Sequence, residues 1–233
     1  MKAIIVPVRS ESARFPRKHL QRLGETSVLG VLIERAKLIG DPVWVATTWR
    51  QADAEVVAEA INHGARAWRG HPTNLHERYL ELCLTEGITS YIEISGDCPF
   101  FDMDQAERIW KALDDIGDHD VCGEPAAYAP SDIVVSGKSL GYLTRWVDYI
   151  GAVPEDRRDQ YWTYGEKPEM KVLELPYEGD RTRTPIKHSI DWPMDLAIAN
   201  VVLQVLGRYP TGWQDLEQVY AQVRTMEVVG GQV

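Results

Sequence analysis

Apolar residues along the chain form short unbroken runs, separated by stretches in which they recur every three or four positions. Lys2 to Val8, Asp41 to Thr47 and Tyr91 to Ser95 are runs of strand length with the continuous hydrophobicity of strands buried on both faces. Between them, Ser27 to Ile39, Gln51 to Asn62 and Asn74 to Glu86 carry helical spacing, with Gly40, Gly64 and Gly87 just beyond their ends. Strand and helix therefore alternate. That order predicts an α/β fold of right-handed βαβ units, a mainly parallel sheet flanked by helices, and a ligand crevice beyond the carboxyl ends of the strands.

Farther on, a helix is expected over about Asp102 to Gly117 and a short strand near His119 to Cys122. From about 123 to 185 the pattern becomes irregular around Pro125, Pro130, Pro154 and Pro168, which predicts a small acceptor or dimerisation lobe. Within and after that stretch, strands are expected at Met170 to Leu175 and Pro185 to Ile190, then an amphipathic helix from Pro193 to Leu206. No internal repeat is present, and the whole reads as one domain over residues 1 to 233.

Composition narrows the function by exclusion. A net charge of -10 opposes binding to nucleic acid, and no apolar run reaches the roughly 20 residues a bilayer span requires. Met1 to Val8 is too short for a signal peptide, so a cytoplasmic protein is expected. Cys83, Cys98 and Cys122 form no C-x-x-C pair, and the histidines form no H-E-x-x-H pattern. His63, His71 and His76 lie around a strand and loop and are expected at the surface.

One segment stands against the overall acidity. Within residues 1 to 22, Lys2, Arg9, Arg14, Arg17, Lys18 and Arg22 face only Glu11, a local net of +5. The loop from Arg9 to Lys18 follows the first strand directly, with Val8 at the strand exit. A triphosphate spreads its charge over several ångströms, so guanidinium forks, an ammonium group, hydroxyls and backbone amides must converge on it. Arg9, Ser12, Arg14 and Lys18 are the candidates. The loop is neither a Walker A sequence nor a G-x-G-x-x-G fingerprint.

Two acidic segments complete the pattern. Ser95-Gly96-Asp97-Cys98-Pro99 and Ile190-Asp191-Trp192-Pro193-Met194-Asp195-Leu196 each place a carboxylate just after an expected strand. Asp97 and Asp191 are candidate Mg²⁺ ligands, since this ion takes oxygen donors and keeps room for water and phosphate. The alternatives are a turn for Asp97 and a helix N-cap for Asp191. Asp102-Met103-Asp104 has the form of a metal-binding D-x-D but sits where a helix begins, so capping is expected.

Taken in order, these segments resemble the cytidylyltransferase family that includes the spore-coat polysaccharide biosynthesis proteins and, more distantly, the enzymes that activate acylneuraminate and ketodeoxyoctonate with CTP. The family's R-x-G-S-T-R-x-P-G-K loop is mirrored by Arg9 to Lys18, its G-D-C-P by Gly96 to Pro99, and its D-x-P-x-D-L by Asp191 to Leu196. The resemblance covers residues 2 to 110 and 186 to 203. It implies a nucleotidyltransferase fold, CTP as substrate, Mg²⁺ as cofactor and a homodimer. It gives catalytic roles to Arg9, Arg14, Lys18 and Asp97, and nucleotide contacts to Val8, Ser12, Ala46, Thr47 and Arg78. Two departures change the charge of the loop: Glu11 stands where the family has Gly or another small residue, and Arg17 where it has Gly.

The reaction so implied is attack of an acceptor oxygen on the α-phosphorus of CTP, with pyrophosphate leaving. An anionic sugar-like, phosphate or phosphonate acceptor would need cations, for which Arg145, Arg157, Arg158, Arg181, Arg183, Lys187 and His188 are available. A metal-dependent glycosyltransferase and a non-catalytic nucleotide binder are the rival readings; the basic loop opposes the first, and Glu11 favours the second.

Overall fold

The computed structural model describes residues 1–123, 135–153, 168–175, 188–212 and 214–219. Its first strand, β1 (Lys2–Pro7), is the first apolar run, and Ala3, Ile4, Ile5 and Val6 are fully buried. Such a run is unbroken because helices cover both faces. Ile4 and Val6 pack on one side with α1 (Val28–Ile39) and α4 (Met103–Ala112). Ala3 and Ile5 pack on the other with α3 (Leu75–Glu86) and α5 (Leu140–Gly151). The architecture is a helix, sheet, helix sandwich, as the alternation predicts.

A two-strand ribbon, β2 (Arg22–Leu23) and β3 (Thr26–Ser27), leads into α1. The main sheet adds β4 (Val43–Thr48), β5 (Arg66–Gly70), β6 (Ser90–Glu93), β7 (Val121–Gly123), β8 (Ser136–Ser139) and β9 (Val172–Glu174), in the order β5-β4-β1-β6-β8-β7-β9. β5, β4, β1 and β6 run parallel, β8 is antiparallel to both its neighbours, and β9 pairs parallel with β7. The chain steps outward from β1 to β4 and, through α2 (Ala54–Asn62), to β5, then returns by α3 to β6 on the other side of β1. Connections leaving β1 and β6 thus diverge, which opens a crevice at their carboxyl ends.

Helix ends obey local chemistry. Ser27, Asn74, Asp102 and Ser139 cap α1, α3, α4 and α5 by accepting from the amides of Gly30, Glu77, Gln105 and Tyr142. Asp102 therefore serves as a cap, as expected. Gly87 closes α3 in the left-handed conformation at φ 68°.

Three expectations need correction. Part of the stretch from 123 to 185 is regular: β8 and α5 lie in it. β8 is Ser-Gly-Lys-Ser, a strand that pairing with β6 and β7 imposes on a sequence with no strand propensity. α5 carries apolar residues at Leu140, Leu143, Trp146 and Ile150, but Gly141, Gly151 and the nearby prolines obscure the period. Of the strand expected at Pro185 to Ile190, residues 188–190 are not in a strand, and the rest lies outside the described residues; Ile190 N instead donates to Asp97 O at 2.8 Å. His76 is buried on α3 rather than at the surface. Among the described residues no helix is long and apolar enough to cross a membrane.

The loops after β1 and β6 touch at Gly96, where a Cβ would lie 2.1 Å from the Pro7 carbonyl oxygen. Gly96→Ala is expected to lower stability by about 1–3 kcal/mol, because backbone rather than a pliable side chain must move. Denaturant unfolding beside the parent protein checks this.

Candidate active site

The basic loop is held from below by Asp53. This residue stands at the N-cap position of α2, yet its side chain caps nothing. Asp53 Oδ1 accepts from Ser10 N at 2.6 Å, while Oδ2 accepts from the amide and hydroxyl of Thr48 at the end of β4. Burial pushes the Asp53 carboxyl up, but the hydrogen bonds from Thr48 and Ser10 outweigh it and leave it below the ordinary value. Ser10 Oγ donates to Ala52 O at 2.9 Å, and Arg17 N donates to Ser10 O at 3.0 Å, closing the loop on itself. One buried carboxylate thus joins the exits of β1 and β4.

Both departures from the family pattern become intelligible here. Arg17 has φ 56°, a left-handed conformation that glycine adopts without strain, and its guanidinium pairs with Glu55. Glu11 pairs with Arg50 on the outer side of the loop. A hollow of about 700 Å³ lies on that side, lined by both glutamates, Arg9 and Arg17. Neither Asp97 nor Asp191 lines it, and Glu11 and Glu55 are each neutralised by an arginine.

The chemistry gathers on the inner side, in a cleft of about 420 Å³ lined by Val8, Arg9, Ser12, Arg14, Lys18, Arg78 and Asp97. Lys18 is almost wholly buried and follows the loop on a 3-10 turn, Lys18–Leu20. Its Nζ lies 3.1 Å from Asp97 Oδ2 and 3.5 Å from Asp191 Oδ1. Arg14 Nη2 reaches the same Asp191 oxygen at 2.7 Å. The two acidic segments, remote in sequence, meet on one ammonium group.

Each carboxylate has its own support. Ser95 Oγ donates to Asp97 Oδ1 at 2.6 Å. Burial raises the Asp97 carboxyl, but Lys18 and the bonds from Ser95, Lys18 and Cys98 prevail and hold it below its ordinary value. Asp195 Oδ2 accepts from the amides of Asp191 and Trp192, both at 2.8 Å, so it braces the start of α6 (Pro193–Leu206) and leaves the Asp191 carboxylate to Arg14 and Lys18. Asp191 is therefore not the helix cap. Asp195 plays a structural part.

The remaining candidates sit differently. Ala46 and Thr47 are fully buried in β4 and do not line the cleft; Ala46 O instead accepts from Val8 N and from Arg78 Nη1. Arg78 also donates to His71 O and Pro72 O, so its guanidinium shapes the rim at 71–74. Arg145 pairs with Asp120, and His188 lines a separate small hollow with Phe100 and Ser189. Arg157, Arg158, Arg181, Arg183 and Lys187 lie outside the described residues.

Two residues on the cleft wall are not among the expected site residues. His19 is 5% exposed and hydrogen-bonds the Arg9 backbone; burial and the Lys18 charge lower its pKa to about 4. His76 stacks on Trp146 and lies 3.4 Å from the Tyr142 hydroxyl; burial and Lys138 lower it likewise to about 4. Nothing in the sequence distinguishes a histidine that packing will bury. Asp53 escaped as well, because Asp ahead of a helix reads as a cap.

Since both histidines stay neutral in the folded state down to about pH 4, the unfolded chain protonates first as pH falls below 6.5. Their contribution is complete above pH 6.5 and declines toward pH 4. Urea unfolding at pH 7.5 and 5 is expected to show that loss, and His76→Gln to diminish the difference between the two.

With this geometry the sequence matches the cytidylyltransferase family over residues 3–222. It is 27% identical over 119 residues to the spore coat polysaccharide biosynthesis protein SpsF of Bacillus subtilis, an alignment covering 48% of this chain and 50% of that one. The chain spans about half the length of the curated relatives it matches. Among solved structures, a cytidylyltransferase from Leptospira borgpetersenii superposes with a TM-score of 0.77 at 20% identity, over 96% of this chain and 95% of that one. CMP:2-keto-3-deoxy-manno-octonic acid synthetase, solved with CTP, superposes with a TM-score of 0.62 at 17% identity, over 88% and 99%. These likenesses establish the nucleotidyltransferase fold, and the match over nearly the whole length establishes the family: the chain belongs to the cytidylyltransferases.

Proposed function

We propose that the protein transfers a cytidylyl group from CTP to a small anionic acceptor, sugar-like or bearing a phosphate or phosphonate, and releases pyrophosphate. The observation that carries this reading is the convergence of Arg9, Ser12, Arg14, Lys18 and Asp97 in one cleft at the β1/β6 exits, with Asp191 joined to Arg14 and Lys18. The preference for cytosine rests on family membership. A homodimer accompanies the reading, as the family resemblance implies, with the cytoplasm as its proposed location.

In the proposed reaction an acceptor oxygen bonds to the α-phosphorus as the bond to the bridging oxygen of pyrophosphate breaks. The leaving group carries away the electron pair. Arg9 and Arg14 supply planar donors and Lys18 a point charge to the phosphates, with the Ser12 hydroxyl as a further donor. Catalysis rests on positioning and on countering charge as it shifts to the leaving group. An acceptor oxygen that is already ionised needs no strong general base.

The residues present fit a divalent cation. Asp97 and Asp191 already converge on a cationic nitrogen, and among the described residues no third acidic, His or Cys ligand joins them. Two carboxylates with space for water and phosphate oxygens suit Mg²⁺. Such an ion, when bound, supplies charge neutralisation at the phosphate oxygens. Glu11, the residue that favours a non-catalytic binder, is paired with Arg50 outside the cleft, which supports catalysis instead.

Pyrophosphate release from CTP and Mg²⁺, measured against a panel of sugar phosphates, 2-keto sugar acids and phosphonates with UTP and ATP as controls, tests the reading. Acceptor-dependent release with CTP is expected; absence of CTP binding would overturn the proposal. Folded Asp97→Ala is expected to lose at least about a hundredfold in turnover. Glu11→Gly, by contrast, is expected to change the KM for CTP by less than about threefold, because its charge is exposed and already paired.

A further inference from the structure

The position of Lys18 bears on the order in which ligands can enter. Its Nζ contacts Asp97 Oδ2 and Asp191 Oδ1, so the oxygens these two carboxylates would offer to a divalent ion both meet one cationic nitrogen. A hexacoordinate Mg²⁺ bonds oxygen at about 2.0–2.1 Å, so an ion shared by these oxygens would fall inside the space the ammonium group now commands. The lysine side chain is 8% exposed and that of Asp191 13%, so water screens the repulsion between two cations there poorly.

The other acceptor positions are engaged too. Asp97 Oδ1 receives Ser95 Oγ and, at 3.5 Å, Cys98 Sγ, while Asp191 Oδ2 receives Ser189 Oγ at 3.4 Å. Arg14 shares Asp191 Oδ1 with Lys18. The carboxylates are therefore already neutralised by the chain's own cations.

Resting on the CTP reading above, we propose that Lys18 is the resident counter-ion of the Asp97 and Asp191 pair, displaced only when a nucleotide offers its ammonium group phosphate oxygens instead. Two consequences follow. A divalent ion alone binds weakly, because it must evict a cation that, among the described residues, has no other anionic partner. Nucleotide and ion favour each other, since the triphosphate draws Lys18 and Arg14 from the carboxylates just as the ion claims them, and such coupling is reciprocal. The cleft is thereby guarded against idle occupation by metal. Lys18 serves two states: counter-ion without nucleotide, phosphate ligand with it.

The test is Mn²⁺ binding without nucleotide, followed by loss of the free-ion electron paramagnetic resonance signal, in the parent protein, Lys18→Met and Lys18→Arg. Lys18→Met keeps much of the buried shaft and removes the charge, so it is expected to bind Mn²⁺ on the order of tenfold more tightly than the parent, whereas Lys18→Arg is not. In the parent, CTP is expected to tighten Mn²⁺ binding by a similar factor. Adding Asp191→Asn to Lys18→Met should abolish the gain. If Lys18→Met does not fold, Arg14→Ala, an exposed change that removes the second cation on Asp191, is expected to tighten Mn²⁺ binding in the same direction.

Equal Mn²⁺ affinity in the parent and every charge-removing variant that folds would overturn the displacement proposal while leaving CTP-dependent pyrophosphate release intact. Absence of Mn²⁺ binding in all of them even with CTP would overturn it together with the metal assignment of Asp97 and Asp191.

Discussion

The site depends on one close approach of backbone to backbone. β1 and β6 lie side by side in parallel register, and the loops that leave them must pass each other at the edge of the crevice. Gly96 allows this, since any side chain there would strike the Pro7 carbonyl. With that contact made, Asp97 faces back across the crevice toward the loop that follows β1. Ile190 N, by donating to Asp97 O, draws the segment carrying Asp191 to the same place. Glycine, aspartate and the distant second aspartate thus form one construction.

Charge is managed by the same economy. The chain is acidic overall, so a basic loop needs a framework that holds cations together against their mutual repulsion. Asp53 provides it from the interior, Glu11 and Glu55 draw Arg50 and Arg17 to the outer face, and Asp97 with Asp191 holds Lys18 and Arg14 toward the inner one. Burial meanwhile keeps His19 and His76 neutral beside these ions. The cleft has strong cations and the Asp97 carboxylate, held below its ordinary pKa, with neutral imidazoles in its wall, which suits binding of a polyanion better than proton abstraction.

Departures from the family pattern are accommodated by geometry. Arg17 accepts a left-handed backbone where glycine would be at ease, and offsets that with a surface ion pair to Glu55. Glu11 would oppose a phosphate if it faced inward, yet the turn of the loop sends it to Arg50. A residue's sign in a motif matters less than the side of the loop on which it emerges.

Much was legible along the chain. β1, β4 and β6, the helices α1 and α3, the Asp102 cap and the cationic loop depend on runs, periods and caps that act within a few residues, so sequence by itself determined them. It also determined which chemistry was available: guanidinium, ammonium and carboxylate groups at strand ends. Tertiary structure decided the rest. β8 is a strand because β6 and β7 supply its hydrogen bonds, Asp53 turns away from its helix because Ser10 needs an acceptor, and Ala46 and Thr47 are enclosed by packing. Lys18 meets carboxylates 79 and 173 positions away, a meeting that no local spacing encodes, because only the folding of the sheet brings those strand ends together.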